Sequence, residues 1–165
     1  MPTPRTRKDL TPAGRLEEAG LRSVLGYQLA QAAIVADAVF DAEVGHRLKL
    51  SRVEYTVLTL AAENPGGSLA RIARALCVTP PHVTAVVDRL EARSLVTRKP
   101  SHEDRRTQTL NATDAGMALA RKATERILAA ERQLPLSVGE QAILAELLHK
   151  VACARDASGR PGLPG

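Results

Sequence analysis

The chain has 165 residues, of which 44% are hydrophobic and 25% are charged. This length and apolar content are typical of one folded domain with a sizeable core, which excludes disorder as the overall state. The formal net charge of +5 and a pI near 9.7 indicate a mild preference for anionic partners.

Aromatic residues are scarce, and Tyr27, Phe40 and Tyr55 are the whole set. The core must therefore be aliphatic, which suits close-packed helices. No stretch approaches the roughly 18 apolar residues of a membrane span, and no hydrophobic region follows the charged first residues. We expect a cytoplasmic protein that contacts no membrane. Cys77 and Cys153 lie too far apart for a metal pair or a disulfide framework, so we expect two buried, unremarkable thiols.

In chain order, residues 1–14 and 154–165 have the composition of loose tails. Between them, apolar residues at intervals of three and four predict a long amphipathic helix from about Glu17 to Val44. A shorter helix is predicted from about Arg52 to Glu63, because Asn64-Pro65-Gly66-Gly67 would break any continuation.

The next stretch predicts two short helices joined at Cys77-Val78-Thr79. Thr79 is a suitable N-cap, and Pro80 would occupy the first helical position, where a missing N–H costs nothing. Two helices with so short a joint form a helix-turn-helix unit.

Two strand-like runs follow, Leu95-Val96-Thr97-Arg98-Lys99 and Thr107-Gln108-Thr109-Leu110, and they predict a β-hairpin with a charged tip. Thr113 is expected to cap a helix that runs to about Gln133, and Ser137 to open a last helix. That last helix carries an apolar stripe formed by Ile143, Leu144, Leu147, Leu148 and Val151.

This order predicts a mainly α fold with a small β-hairpin wing, a winged helix-turn-helix joined to other helices. In such a module the second helix enters the DNA major groove and the hairpin meets the backbone or the minor groove. Between Ser68 and Leu110 there are eight basic and four acidic residues, so the excess positive charge lies on the candidate DNA reader.

On the candidate recognition helix, the core side is predicted to be Val83, Val86, Val87 and Leu90. The outward side then carries Pro81, His82, Thr84, Ala85 and Asp88, of which His82 and Thr84 can donate hydrogen bonds to bases or phosphates. Arg89 has two open alternatives, a phosphate contact or an ion pair that locks the helix. The predicted DNA-binding residues are Ser68, Arg71, Thr79, Pro81, His82, Thr84, Arg89, Arg98, Asp104, Arg105 and Arg106.

At the wing tip, we expect Asp104 to hold the loop while Arg105 or Arg106 points at DNA, since arginine suits a narrow minor groove. The alternative is a solvated turn. Wing arginines would add affinity more than sequence choice.

The stretch from Leu25 to Val151 resembles the MarR family of bacterial transcriptional regulators. The resemblance rests on Asp104-Arg105-Arg106 in the wing, on Thr113-Asp114-Ala115-Gly116, and on the segments Asp88-Arg89-Leu90-Glu91 and Leu95-Val96-Thr97-Arg98. It implies a homodimer on palindromic double-stranded DNA. The implied organisation is a tail (1–14), a dimerisation helix (15–50), the winged DNA-binding domain (51–112), C-terminal dimerisation helices (113–153) and a second tail (154–165).

Two positions depart from the family pattern. Ser94 stands where the family commonly has the glycine that ends the recognition helix, which predicts another helix ending or a mildly strained positive φ. Ala85 stands where many relatives carry a larger polar side chain, so specificity would depend on His82, Thr84 and DNA shape.

The resemblance also implies release of DNA by a small aromatic acid. The candidate effector residues are Tyr27, Gln31, Phe40, His46, Arg47 and Tyr55, with His46 or Arg47 suited to an anionic group. The alternative is that these aromatics belong to the core and that His46 and Arg47 are solvated.

Three other classes remain to be weighed. A redox-sensing regulator of the same fold would use Cys77 as its trigger. A helical interaction module would bind DNA without the steep salt dependence of phosphate contacts. An enzyme is not expected, because the sequence contains no phosphate loop, HExxH, CxxC or nucleophile elbow, and no cofactor or metal is expected.

Overall fold

The structure is a computed structural model that describes residues 10–100 and 108–155. The chain divides into two compact units, residues 1–39 and residues 40–165. Within the described ranges, no helix is both long enough and apolar enough to cross a lipid bilayer.

The N-terminal unit does not contain the continuous helix expected from Glu17. A 3₁₀ turn at Ala19–Ser23 comes first, and α1 begins only at Leu25. Val24 separates the two because its backbone is extended, with φ −85° and ψ 108°. Apolar spacing alone therefore misplaced the start of the helix.

The helical path changes again at Phe40, where α1 (Leu25–Phe40) ends. A π-helical stretch, Asp41–Gly45, leads into the short helix α2, His46–Leu48. Lys49 then adopts a left-handed conformation with φ 53°, which ends the helical run.

The C-terminal unit contains the winged helix-turn-helix and two further helices. Its remaining elements in chain order are α3 (Arg52–Glu63), β1 (Gly67–Ser68), α4 (Leu69–Leu76), α5 (Pro80–Ala92), β2 (Val96–Pro100), β3 (Gln108–Ala112), α6 (Asp114–Glu131) and α7 (Val138–Ala152). The mainly α fold with a hairpin wing is confirmed.

Among the described helices, four begin with a side-chain cap, and α4 with its cap Ser68 is one of them. Ser51 and Glu54 form a capping box at α3, in which each side chain bonds the other residue's backbone N–H. Ser137 and Glu140 repeat that capping box at α7, and Thr113 accepts a bond from the Gly116 N–H at α6. The predicted bounds of α3 and the predicted caps at Thr113 and Ser137 are confirmed.

The wing belongs to an antiparallel sheet with the order β1-β3-β2. The hairpin pairs Val96 with Ala112 and Pro100 with Gln108. Strand β1, which pairs Gly67 with Leu110, was not predicted from the sequence. A strand of two residues is too short to show alternation, and only the pairing of its backbone identifies it.

The core is aliphatic, as the composition predicts. Side chains from α3, α5 and β3 bury completely against one another, with the four predicted apolar residues of α5 among them. The fully buried set includes Val57, Leu58, Val83, Val86, Val87, Leu90 and Leu110.

By contrast, the apolar stripe of α7 lies on the surface of the chain. Ile143, Leu147 and Val151 are 59%, 54% and 45% exposed, and Leu144 and Leu148 are exposed beside them. A contiguous apolar stripe of this kind is typical of a protein–protein interface.

Both helices of the helix-turn-helix end in Schellman motifs without glycine. At α5, Leu95 N–H bonds Leu90 C=O and Ser94 N–H bonds Glu91 C=O, while Ser94 has φ 55°. At α4, Val78 N–H bonds Ala73 C=O, and Cys77 has φ 53°. Of the two alternatives predicted at Ser94, the structure shows the positive φ.

The end of α5 is joined closely to the start of α6. Thr113 donates its hydroxyl to Ser94 C=O at 2.8 Å and its backbone N–H to Leu95 C=O at 3.0 Å. A Cβ on Gly116 would lie 1.9 Å from the Leu95 carbonyl oxygen. Only glycine permits this approach.

We therefore expect Gly116→Ala to lower the free energy of unfolding by about 3 kcal/mol, because the backbone of Leu95 must move away. Gly139→Ala in α7 is the matched control, since nothing lies within 4 Å of its added Cβ. The control is expected to raise helix stability by about 0.5 kcal/mol. Urea unfolding of both variants at one protein concentration measures the difference, and equal effects would contradict the close approach.

A second prediction concerns the left-handed residue that ends α5. Ser94→Gly should raise the free energy of unfolding by about 0.5–1 kcal/mol, because glycine adopts a positive φ without the steric cost of a Cβ. Ser94→Ala keeps the Cβ and should leave stability nearly unchanged. A stabilisation by alanine equal to that by glycine would show that backbone strain is not the cause.

Candidate nucleic-acid interface

The recognition helix α5 has one buried side and one exposed side. Val83, Val86, Val87 and Leu90 have no exposed surface. The opposite side exposes Pro81, His82, Thr84, Ala85 and Asp88. The predicted division of the helix into a core side and an outward side is confirmed.

The start of α5 is capped by the backbone and not by a side chain. Thr79 occupies the N-cap position, but its hydroxyl makes no capping bond. Pro80 and Pro81 fill the first two helical positions and lack N–H groups, so His82 N–H, 3.0 Å from the Thr79 carbonyl oxygen, is the first that needs an acceptor. The Thr79 side chain is exposed beside the reading side of the helix.

Thr84 differs from its expected role as a donor. Its hydroxyl donates to the Pro80 carbonyl oxygen at 3.1 Å, one turn back in the same helix. In this conformation Thr84 presents an acceptor and a methyl group outward, whereas the His82 ring is exposed at the start of the helix.

Arg98 on β2 connects the wing to the recognition helix. Its Nε donates to Glu91 Oε2 at 2.9 Å, its backbone N–H donates to Glu91 Oε1 at 3.2 Å, and its guanidinium also bonds Asp88. The side chain of Arg98 is only 20% exposed. These bonds lower the pKa of Glu91, and both carboxylates raise the pKa of Arg98. The positive charge of Arg98 is therefore largely offset by the carboxylates of Glu91 and Asp88. Its contact with DNA stays a prediction.

Arg89 makes the ion pair that was one of its two alternatives. Its Nε lies 2.7 Å from Glu54 Oε1, and the other oxygen of that carboxylate holds the capping box of α3 through Ser51. Burial raises the pKa of Glu54, but the bonds from Arg89 and Ser51 outweigh burial and lower it overall. The Arg89 side chain is still 55% exposed, so a phosphate contact stays a prediction.

Other basic residues near α5 differ in what they contact. Arg93 donates to the carbonyl oxygens of Lys49 and Leu48 and so caps the end of α2. Arg71, Arg74 and Lys99 are exposed. Ser68 is the N-cap of α4 and accepts from Arg71 N–H at 3.3 Å.

The predicted wing-tip residues Asp104, Arg105 and Arg106 lie outside the described residues. Their roles stay predictions.

Of the candidate effector residues, Tyr27 and Gln31 lie in the N-terminal unit. Tyr27 donates its hydroxyl to Glu18 at 3.0 Å, and its pKa is raised by burial and by that carboxylate. Gln31 is half-buried.

In the C-terminal unit, Phe40 and Tyr55 pack together with ring centroids 5.7 Å apart. Phe40 is buried, and the Tyr55 hydroxyl is 2.9 Å from Thr124 Oγ1 on α6. The guanidinium of Arg52 lies 4.6 Å from the centre of the Phe40 ring. These contacts favour the core alternative for Phe40, and its effector role stays a prediction.

The two predicted anion-binding residues, His46 and Arg47, are exposed. Arg47 donates to the Ala42 carbonyl oxygen and lies 3.8 Å from Glu43. Arg52 was not among the predicted effector residues, although its spacing of three residues from Tyr55 on a helix indicates a shared face.

Both thiols are exposed, so the expectation that they are buried is wrong. Cys77 is the residue with left-handed backbone conformation at the end of α4. Its Sγ accepts a hydrogen bond from the Arg155 guanidinium at 3.0 Å. Cys153 follows α7 and contacts His149 at 3.5 Å. Neither position faces the core.

Comparisons with known proteins agree with this architecture. Residues 50–107 match the model of the MarR family. The chain is 38% identical over 68 residues to an uncharacterized HTH-type transcriptional regulator, YpoP of Bacillus subtilis, covering 41% of this chain and 48% of that protein. The match thus spans about half the length of that relative.

A longer match is to the HTH-type transcriptional regulator PecS of Dickeya dadantii, with 30% identity over 74% of this chain and 76% of PecS.

Two solved structures extend the likeness. The transcriptional repressor CouR, bound to a 23-mer DNA duplex, is 28% identical with a TM-score of 0.75, covering 83% of this chain and 98% of CouR. BpsR of Bordetella bronchiseptica, whose DNA binding is regulated by 6-hydroxynicotinic acid, is 26% identical with a TM-score of 0.66, covering 76% of this chain and 91% of BpsR. The winged helix-turn-helix and the extended match to PecS together establish that this chain belongs to the MarR family of transcriptional regulators.

Proposed function

We propose that this protein is a homodimeric repressor that acts in the cytoplasm and binds a palindromic operator with α5 in the major groove. The observation that carries the proposal is the outward side of α5, where His82 and Thr84 are exposed while the opposite side is fully buried. A helix fixed on one side and exposed at its N-terminal residues is the arrangement that base readout requires. The DNA-bound structure of the related CouR supports this function.

The exposed apolar stripe of α7 supports dimerisation. Residues such as Ile143 and Leu147 would leave water on pairing with a second copy of the chain. A two-fold dimer presents two copies of α5, and such symmetry requires an inverted repeat in the DNA.

Within this proposal, residues around α5 divide into base-reading and phosphate-contacting groups. His82 would read bases, with Thr84 beside it as an acceptor and Pro81 as an apolar contact. Ser68, Thr79 and Arg71 would contact phosphates, as would Arg105 and Arg106 of the wing, while Asp104 would hold the wing loop. Arg89 and Arg98 would act mainly through their ion pairs.

The proposal is tested by selecting genomic fragments that bind the purified protein and then measuring affinity against salt concentration. We expect His82→Ala to change the preferred half-site, because it removes a base-reading group. Arg71→Ala should weaken binding by a similar factor on all sequences and reduce the salt slope by about one, because it removes a phosphate contact.

Identical sequence preferences of wild type and His82→Ala would remove His82 from the base-reading group. A wild-type affinity that does not fall with salt would contradict DNA binding through phosphates and favour the interaction-module alternative.

We further propose that a small aromatic carboxylate or phenol releases the DNA. The regulation of the related BpsR by 6-hydroxynicotinic acid supports an effector of this class. In the C-terminal unit, Arg52 is the best-placed cation for its carboxylate, because it already lies over the Phe40 ring and shares the first turn of α3 with Tyr55.

A panel of hydroxybenzoates and hydroxynicotinates tests the effector class by release of labelled operator and by thermal shift. Arg52→Gln should weaken the response about tenfold, as expected for the loss of a charge-assisted contact, whereas Arg47→Gln should leave it unchanged. The reverse order would restore the assignment to Arg47 or His46.

An unchanged affinity for DNA across the whole panel would contradict the effector class. Release by peroxide that is lost in Cys77→Ser would favour the redox alternative, which the exposure of Cys77 permits.

A further inference from the structure

The carboxylate of Glu54 is shared between two helices. One oxygen accepts the Ser51 N–H at 2.8 Å and the Ser51 hydroxyl at 2.9 Å, which completes the capping box of α3. The other accepts Nε of Arg89 on α5 at 2.7 Å. The Glu54 side chain is 11% exposed, so its carboxylate is largely protected from water, whereas the Arg89 side chain is 55% exposed.

The ion pair adds a directional restraint to the apolar packing of α5. The buried side of α5 is made of Val83, Val86, Val87 and Leu90, and apolar contacts have little directionality. A charge-assisted hydrogen bond is directional and short. The bond between Glu54 and Arg89 therefore restrains the orientation of α5 on the side of α3, in addition to the bonds that Arg93 and Arg98 make.

The direction of the bond between Glu54 and Arg89 matters for the outward side of α5, which carries His82. His82 and Arg89 are seven residues apart, close to two helical turns, so both side chains leave α5 on nearly the same side. A restraint at Arg89 thus sets the rotation of α5 that also aims His82. The carboxylate of Glu54 also offsets the positive charge of Arg89.

We propose that Glu54 is a positioning residue for DNA recognition, which sets sequence specificity through Arg89 without touching DNA. The inference rests on the proposed DNA binding of α5. Loss of the Glu54 charge should lower specific affinity while general attraction to the phosphates remains, because no phosphate contact is removed.

The chain provides a closely matched control. Ser137 and Glu140 form the same capping box at α7, with the Ser137 N–H 2.8 Å from the Glu140 carboxylate. The pKa of Glu140 is lowered by Ser137 alone, whereas that of Glu54 is also lowered by Arg89. Glutamine at either position keeps an oxygen that can accept from the serine. The two substitutions therefore differ in the loss of an arginine partner and in burial, since Glu54 is buried and Glu140 is exposed.

The experiment measures the ratio of operator affinity to affinity for unrelated duplex, with the full-length protein. Glu54→Gln should lower that ratio about tenfold, and Glu140→Gln should leave it unchanged. Arg89→Gln should lower the ratio as Glu54→Gln does, and the double variant should lose no more than either single variant, because all three break one pair. The salt slope should not fall in Glu54→Gln.

Several outcomes would overturn the inference. Equal losses in Glu54→Gln and Glu140→Gln would assign the effect to capping, and an unchanged ratio in Glu54→Gln would remove the role. An additive double variant, with a salt slope reduced by about one in Arg89→Gln, would make Arg89 a direct phosphate contact.

If Glu54→Gln does not fold, by circular dichroism and urea unfolding, Arg89→Gln decides the question, since it leaves the capping box intact. Failure of the wild type to bind any duplex would instead overturn the proposed function. The two failures can be distinguished, because the binding of the wild-type protein to DNA is measured before any variant is compared with it.

Discussion

The position of α5 depends first on the complete burial of its apolar side. Four aliphatic side chains from Val83 to Leu90 have no exposed surface, and they pack with residues of α3 and β3 in one core. A core of aliphatic side chains fixes depth and tilt by close packing, because any displacement opens a void or forces an overlap. Hydrogen bonds and ion pairs, which are directional, then add restraints on the orientation of α5. Arg89 bonds α3 on one side, and Arg98 bonds the wing on the other. The close approach of Gly116 to Leu95 joins the end of the same helix to α6.

Several charged side chains around α5 form ion pairs or hydrogen bonds within the protein itself. Counted along the sequence, the winged segment has a clear basic excess. In the folded chain, Arg89, Arg93 and Arg98 are each bonded to a carboxylate or to carbonyl oxygens. Asp88 and Glu91, which would repel phosphates if unpaired, are offset by Arg98. Among the described residues of this segment, we propose that the exposed Arg71, Arg74 and Lys99 contribute most to the attraction for an anionic polymer.

The fold was predictable from the sequence wherever information was local. Capping residues such as Ser51, Thr113 and Ser137 act within one helical turn, and the spacing of the valines in α5 identifies its buried side. The site was less predictable because its bonds join distant residues. Glu54 and Arg89 are 35 positions apart, and periodicity within either helix does not show that the two face each other.

The start of α1 and the exposure of Cys77 were missed for a related reason. Both depend on one residue's backbone angles, the extended Val24 and the left-handed Cys77, which apolar spacing does not reveal.

The first turn of α3 connects the two parts of the proposed function. Arg52 lies over Phe40 and Tyr55 packs beside that ring, while Glu54 between them bonds Arg89 on α5. These residues share one helical turn that is held by a single capping box. A ligand that draws the Arg52 guanidinium away from Phe40 would act on the same turn that holds the recognition helix. Such a ligand changes DNA affinity only if it binds the DNA-competent and the released conformations with different affinities, since equal affinity for both states shifts no equilibrium. Arg52 and Glu54 lie within one turn of helix, and we propose this turn as the physical link between ligand and recognition helix.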